Sequence, residues 1–487
     1  MAVEVESRQL KENSVGAFGI VAQSVGASSP EIAASATTIS AVLIAGAGAP
    51  SSFLLGGIAV ACLAVLIAYL SRRVVTAGGL AGLVEATLGQ RFALATGWAS
   101  LLGIGLITGV NLMLGGLFST LFFSEVAPHT QWLSSNWIWW SVLIGVAIVG
   151  LSIAGVRPSV VVLFSVSVVG IACLTILAIA ILANGGAHGI AWSTLIPGHE
   201  KTASLDSTLR AIGVVVIGFQ GFESATSLGE ETANPRRTIP RVVVTVVLIV
   251  WVLLLLTSLS LVTGFGTSEA GITQLTTLSA LSWLVLAQHY LAAWFGHMII
   301  GLLAISCFAC GLGLMNEMSR MFWSLSRDEL LPRSLSRTTR RTGSPWVAVL
   351  ILAAVAALEL LGAAIWQGAK PLNVPTAATW VADVAAPGLL IAYMLAAVGG
   401  ARLAFRYKAP IVVRVLCPLV VVVVFGISLY HQFSPLPPWP YRLAPFIGLG
   451  LLVIGGVAMY LGARAGTPAA SPPIPPTADR SPLPAAD

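Results

Sequence analysis

Glu31 and Glu223 are the residues in this chain best placed to do chemistry, because each sits just past an interruption in a long apolar run. The first run reads GAFGIVAQSVGASSPEIAASATTISAVLIAG, with its break at QSVGASSPE. Ser29 suits an N-cap, Pro30 a first helical position and Glu31 a first turn, so a new half-helix is expected to start there. The second is GFQGFESATSLGEETANPRRTIPR, Gly218 to Arg241, entered by the run IGVVVIGF and restarting near Gly221 with Glu223 in its first turn. Irregular backbone and an ionisable group in the middle of an apolar span are costly, and are tolerated where they line a protected cavity. Half-helix N-termini offer N–H donors suited to a carboxylate, and half-helix C-termini offer carbonyls suited to an ammonium or a cation. Two such breaks facing each other can hold both ends of a zwitterion. The expected donors lie around Gly26–Ser29, and the expected acceptors are carbonyls around Val216–Phe219.

The expected binding residues are therefore Ser24, Val25, Gly26, Ala27, Ser28 and Ser29 at the first break, and Val216, Ile217, Gly218, Phe219, Gln220 and Gly221 at the second. Asn111, a polar residue in the third apolar run, is expected to face the same cavity, although buried amides also hold helices together. Glu31 and Glu223 each have two readings: a proton carrier or amine ligand, or a first-turn acid that simply stabilises its helix. An ionised Glu31 would occupy the dipole end meant for a substrate carboxylate. Either the ligand is then a cationic amine, or Glu31 is protonated when substrate binds, which would couple proton entry to binding.

Glu230, Glu231, Arg236 and Arg237 are expected to form an ion-pair network that closes one face. Glu85 is expected near that vestibule, Ser306 is a weak sodium ligand, and Asp383 lies on the outer pathway or pairs with a neighbouring helix. The Cys307-x-x-Cys310 spacing reads as two small residues on one helix face, since no second such pair or paired histidines accompany it. No metal site and no cofactor are expected.

The elements that must position these residues follow from composition. Of 487 residues only 9% are charged and 57% are hydrophobic, which excludes an ordinary soluble domain, and the one-sided distribution of the basic residues speaks against nucleic-acid binding as the source of the +6 charge. Twelve runs are candidates to span a bilayer: 15–45, 52–71, 93–123, 137–155, 158–183, 209–232, 240–263, 290–321, 345–366, 376–400, 411–432 and 442–463. Residues 1–14 read as a cytoplasmic segment without a cleavable signal, 15–463 as one polytopic all-α membrane unit, and 464–487 as a disordered Pro/Ala-rich cytoplasmic tail. Of 25 basic residues only Lys201, Arg210, Lys370 and Arg442 fall outside the segments assigned to one face, which makes that face, and both termini, cytoplasmic.

The Gly218–Arg241 block is similar to the sixth-helix pattern of the amino acid–polyamine–organocation superfamily, and resembles its bacterial amino acid permeases: Gly-Phe-Glu, paired Glu, then Asn-Pro-x-Arg-x-Ile-Pro-Arg. NEMSRMFWSLSRDELLP, Asn316 to Pro332, resembles their pattern after the eighth helix, and TAGGLAGLVEATLG, Thr76 to Gly89, their Gly-Gly segment between the second and third. The resemblance covers about residues 15–463. It implies a five-plus-five inverted-repeat core with discontinuous first and sixth helices, plus two peripheral helices. It also implies alternating access, with substrate between the two breaks and contacts from helices three and eight.

This chain departs from the pattern in three places. Gly26 stands between Val25 and Ala27 where relatives often carry several glycines, and Val216 and Ile217 replace aromatics before the sixth-helix break. The helix-five lysine that replaces a sodium ion in some relatives is absent, since residues 158–183 carry no charge.

The leading expectation is a plasma-membrane permease for a small amino acid, proton-coupled or exchanging, whose partners are a small-molecule substrate and the bilayer. A carrier of polyamines or other organic cations is the alternative favoured by Glu31, Glu223 and Asp383. A non-transporting membrane sensor is the alternative of another class. An enzyme is not expected, because no metal pattern, nucleophile–base pair or phosphate loop stands at membrane depth.

Overall fold

Without water to bond to, a backbone at membrane depth must satisfy itself, and helices do so within one segment. The computed structural model describes residues 16–465 apart from 128, 131, 133–135, 368–373 and 437–438, and these are mostly helical with no strand among them. The expected cytoplasmic segment 1–14 and nearly all of the tail 464–487 lie outside the described residues.

In chain order the first helix comprises Ala17–Ser28, Pro30–Ile32, a widened π turn Ala33–Thr37 and Thr38–Ala45, and the second is Ala49–Ser71. The third joins Gln90–Ser100 to Leu106–Val126 through the π turn Leu101–Gly105. Trp137–Ala154 and Val156–Ala183 form the fourth and fifth. The sixth is Leu205–Ile217 followed by the tighter 3-10 helix Phe222–Glu231, and the seventh is Pro235–Phe265. Ala293–Arg327, Trp346–Gln367, Val374–Arg406, Cys417–His431 and Ala444–Ala465 are the eighth to twelfth.

Eleven helical segments among the described residues are long and apolar enough to cross a membrane, against the twelve expected. Three features account for the difference. The first and second helices run on as Ala17–Ser71, turning at Gly46 (φ 56°). The segment Glu269–Tyr290, between helices seven and eight, qualifies by composition although it breaks at Ser279, and the last helix falls short as Tyr441–Val457.

Small residues set how the helices pack, as expected where no hydrophobic force drives helices together. The first helix is clamped at Ala27. A β-carbon on Gly313 of the eighth helix would lie 2.6 Å from Ala27 Cα, and one on Gly221 would lie 2.5 Å from its carbonyl. Gly103 of the third helix meets the backbone of Leu389 in the tenth just as closely, within the π turn. Helices three and eight have the most extensive mutual contact, followed by helices two and seven. Some hydroxyls within spans return to their own helix, as Thr120 does to Gly116 O at 2.8 Å and Thr257 to Leu253 O at 2.8 Å, and others cross to a neighbour, as Ser141 does to Leu112 O at 2.7 Å.

Candidate functional site: a cavity at two helix breaks

The first break is a single residue. The α-helix continues through Ser28, and only Ser29 leaves it, in the left-handed region at φ 34°, ψ 69°. Its N–H donates to Val25 O at 2.8 Å, and its carbonyl accepts from Ile32 and Ala33 at 2.9 and 3.1 Å. The Ser29 hydroxyl does not cap the restart: it donates back to Gly26 O at 2.6 Å. The expected donor set at Gly26–Ser29 is therefore corrected. Those residues end a half-helix, so the break presents carbonyls, and Cys310 donates to the Ala27 carbonyl at 3.2 Å.

The sixth-helix break is wider. After Ile217 the chain turns through Gly218–Gly221, where Phe219 N–H bonds Val216 O and Gln220 N–H bonds Ile217 O, each at 3.1 Å. Two of the expected acceptor carbonyls are thus engaged in a turn. Gly221, at φ 90°, opens the 3-10 restart, a conformation glycine takes without steric cost. Ser24 donates to Phe222 O at 2.8 Å and Gln23 to Gly313 O at 2.9 Å, which stitches the inner half of helix one to helices six and eight.

Above these breaks lies a mainly apolar cavity of about 100 Å³. Of the expected binding residues, Ser28, Asn111, Ile217, Gly218 and Gln220 line it. Ser24, Val25, Gly26, Ala27, Ser29, Val216, Phe219 and Gly221 are buried around it without lining it, several of them in the stitching just described. Three polar atoms are left without a partner at or beside the cavity: Ser28 Oγ, Asn111 Oδ1 and Gln220 Oε1. The Asn111 amide nitrogen is already committed to Ile107 O at 2.9 Å. Unpaired buried polar atoms converging on a pocket are the usual sign of a ligand's place.

The acids point elsewhere. Glu31 is fully buried but does not line the cavity; it faces helix five, where Ser167 donates to its Oε1 at 3.2 Å. The Ser306 hydroxyl of helix eight also stands beside this carboxyl. Gly170 makes room, since a β-carbon there would stand 2.8 Å from Glu31 Cγ. Glu31 thus brings a carboxyl to the uncharged stretch 158–183 of helix five. Glu223 is also fully buried, and its Oε1 accepts from Tyr393 of helix ten at 2.7 Å while Oε2 is unpartnered. Glu317 of helix eight is buried within electrostatic reach of both Glu223 and Tyr393. Neither Glu317 nor Tyr393 was picked out from the sequence. An acid inside an apolar span was a usable signal for Glu317, whereas a tyrosine in such a span carries none.

On the arginine-rich face the expected acids are present with different partners. Glu231 pairs with Arg320 of helix eight at 2.6 Å, both nearly buried, and Arg320 also donates to Asn316 O at 3.0 Å. Glu230 pairs with Arg327 at 2.7 Å and accepts from the Ala77 N–H at 3.2 Å. Arg236 and Arg237 are exposed where helix seven begins and pair with neither acid. The eighth-helix block therefore supplies the basic side of this closure. Glu85 lies beside it, and burial, with the charge of Asp328, raises its carboxyl above the usual value against the opposing pull of Arg327.

The chain is 25% identical over 329 residues to uncharacterized transporters of Mycobacterium tuberculosis and Mycobacterium bovis, covering 66% of this chain and 68% of each relative. Its fold is like that of a manganese transporter from Eremococcus coleocola. Crystal structures of two variants of that protein superpose with TM-scores of 0.57 and 0.55 at 14% and 13% identity, covering 92% and 95% of this chain and 94% and 99% of theirs. Among the described residues no three His, Cys, Asp or Glu side chains gather as metal ligands do. The amino acid permease family model matches residues 13–460, nearly the whole chain. This multi-pass membrane protein, a transporter by its family and its relatives, belongs to the amino acid permease family.

Proposed function

We propose that the protein moves a small amino acid across the plasma membrane by alternating access, coupled to protons or by exchange, with both termini cytoplasmic. The observation that carries this reading is the small, largely apolar cavity at the two breaks with Ser28, Asn111 and Gln220 presenting unpaired polar atoms. Its volume suits a short apolar side chain better than a bulky one. The buried Glu231–Arg320 pair and the more exposed Glu230–Arg327 pair close the cytoplasmic side in this reading, and so they are the contacts that inward opening must break. The coupling candidates are Glu223, with Tyr393 and Glu317 beside it, and Glu31 against helix five. Both acids lie off the cavity wall, which favours proton carriage over direct contact with an amine and weighs against the polyamine reading.

The test is uptake by proteoliposomes containing the full chain. Asn111→Leu and Gln220→Leu, which remove a polar partner at roughly constant volume, should each raise KM by about 10-fold or more while leaving the protein monodisperse. Unchanged KM in both variants would place the substrate elsewhere.

A further inference from the structure

A second, larger cavity of about 370 Å³ adjoins the first on the side away from the arginine-rich face. The two share Ser40, Leu43, Val214 and Thr379 as common wall. Unlike the central cavity, it is lined by one basic and one acidic side chain, Arg210 from helix six and Asp383 from helix ten. The two are within electrostatic reach, yet among the described residues they form no ion pair with each other. The other carboxylate near Arg210, Asp206, is held by His431 at 2.8 Å. A third polar group completes the wall: Gln432 is 8% exposed, and its amide oxygen has no partner.

We propose that this compartment is an outer binding site for a zwitterionic α-amino acid, with Arg210 holding the carboxylate and Asp383 the ammonium before the molecule moves to the central cavity. The inference rests on the amino acid reading above and narrows it. A guanidinium facing a carboxylate across an open cavity matches the two head-group charges of one amino acid. A free amine meets the repulsion of Arg210 and a free carboxylate that of Asp383, so single charges of either sign are selected against. Leu43 and Val214 on the shared wall leave an apolar surface for the side chain. Gln432, buried at the rim, has an acceptor ready for the ammonium.

Equilibrium dialysis of the purified full chain against a saturating radiolabelled mixture of the proteinogenic amino acids tests this. Wild type should bind about two equivalents per chain, and Arg210→Gln and Asp383→Asn about one each, the loss expected when one charged partner of a site is removed. Arg210→Lys, which keeps the charge, should retain both. One equivalent in wild type, or two in both neutral variants, overturns the outer site and leaves the permease reading standing. No binding at all by wild type overturns that reading and the outer site with it. Asp383→Asn reads the loss independently should Arg210→Gln fail to fold. The primary amines and N-acetyl derivatives of the same amino acids should compete only for the retained equivalent, and competition for both overturns the zwitterion assignment.

Discussion

The two helix breaks were expected to be counterparts, one offering donors and the other acceptors, and they differ in kind. The first is one residue wide, with Ser29 in a left-handed conformation and the nearby carbonyls of Val25, Gly26 and Ala27 each engaged by a donor from Ser29 or Cys310. The sixth is four residues wide, opens through Gly221 and continues as a 3-10 helix. Their restarted halves are held differently too. Glu231 ties the restart of helix six to Arg320 by a buried ion pair, whereas Glu31 ties that of helix one to helix five through a single serine hydroxyl. A wide break followed by a strongly anchored 3-10 segment, beside a one-residue break followed by a lightly held α and π segment, points to a division of labour. On this view the first helix supplies a fixed wall of the cavity, and the sixth supplies backbone that can change its winding.

Breaking the anchor should have the largest effect. Arg320→Ala removes one partner of a buried ion pair and should cost about 3–5 kcal/mol, read as a large loss of thermal stability in detergent. A loss under about 1 kcal/mol would mean that this pair behaves like a solvated surface bridge. Gly221→Ala comes next, because it adds a β-carbon 2.5 Å from the Ala27 carbonyl at a residue with φ 90°. It should cost about 2–3 kcal/mol. Ser29→Gly should be nearly neutral, within about 1 kcal/mol of wild type, since relief of the left-handed conformation offsets the hydroxyl bond to Gly26. If Ser29→Gly proves as damaging as Gly221→Ala, the first break is no simpler than the sixth and the contrast fails.

Much of this architecture was legible in the sequence, for physical reasons that also mark its limit. An interruption shows in hydropathy because glycine, proline and acids inside an apolar run have a local cost, so both breaks and both restart acids were placed correctly along the chain. Direction was not legible. Whether Glu31 points at the cavity or at helix five depends on where Gly170 makes space, and no local pattern records that. The same limit misassigned the partners of Glu230 and Glu231: Arg236 and Arg237 are near in sequence, but Arg320 and Arg327 are near in space. Arg210 and Asp383, 173 positions apart, could not be matched before the sixth and tenth helices were seen to share a cavity.

The central claim is that the two breaks hold an amino acid whose movement is linked to a proton. It is tested most directly in proteoliposomes with choline as the only external cation, comparing accumulation driven by an inward proton gradient with exchange at equal pH. Wild type should do one or both with small neutral amino acids. Glu223→Gln should lose gradient-driven accumulation while retaining exchange within about 3-fold, since a neutral amide keeps the shape and the Tyr393 contact but cannot carry a proton. Equal retention of both activities in the variant would contradict the coupling role of Glu223, and no amino acid flux in wild type would contradict the account as a whole.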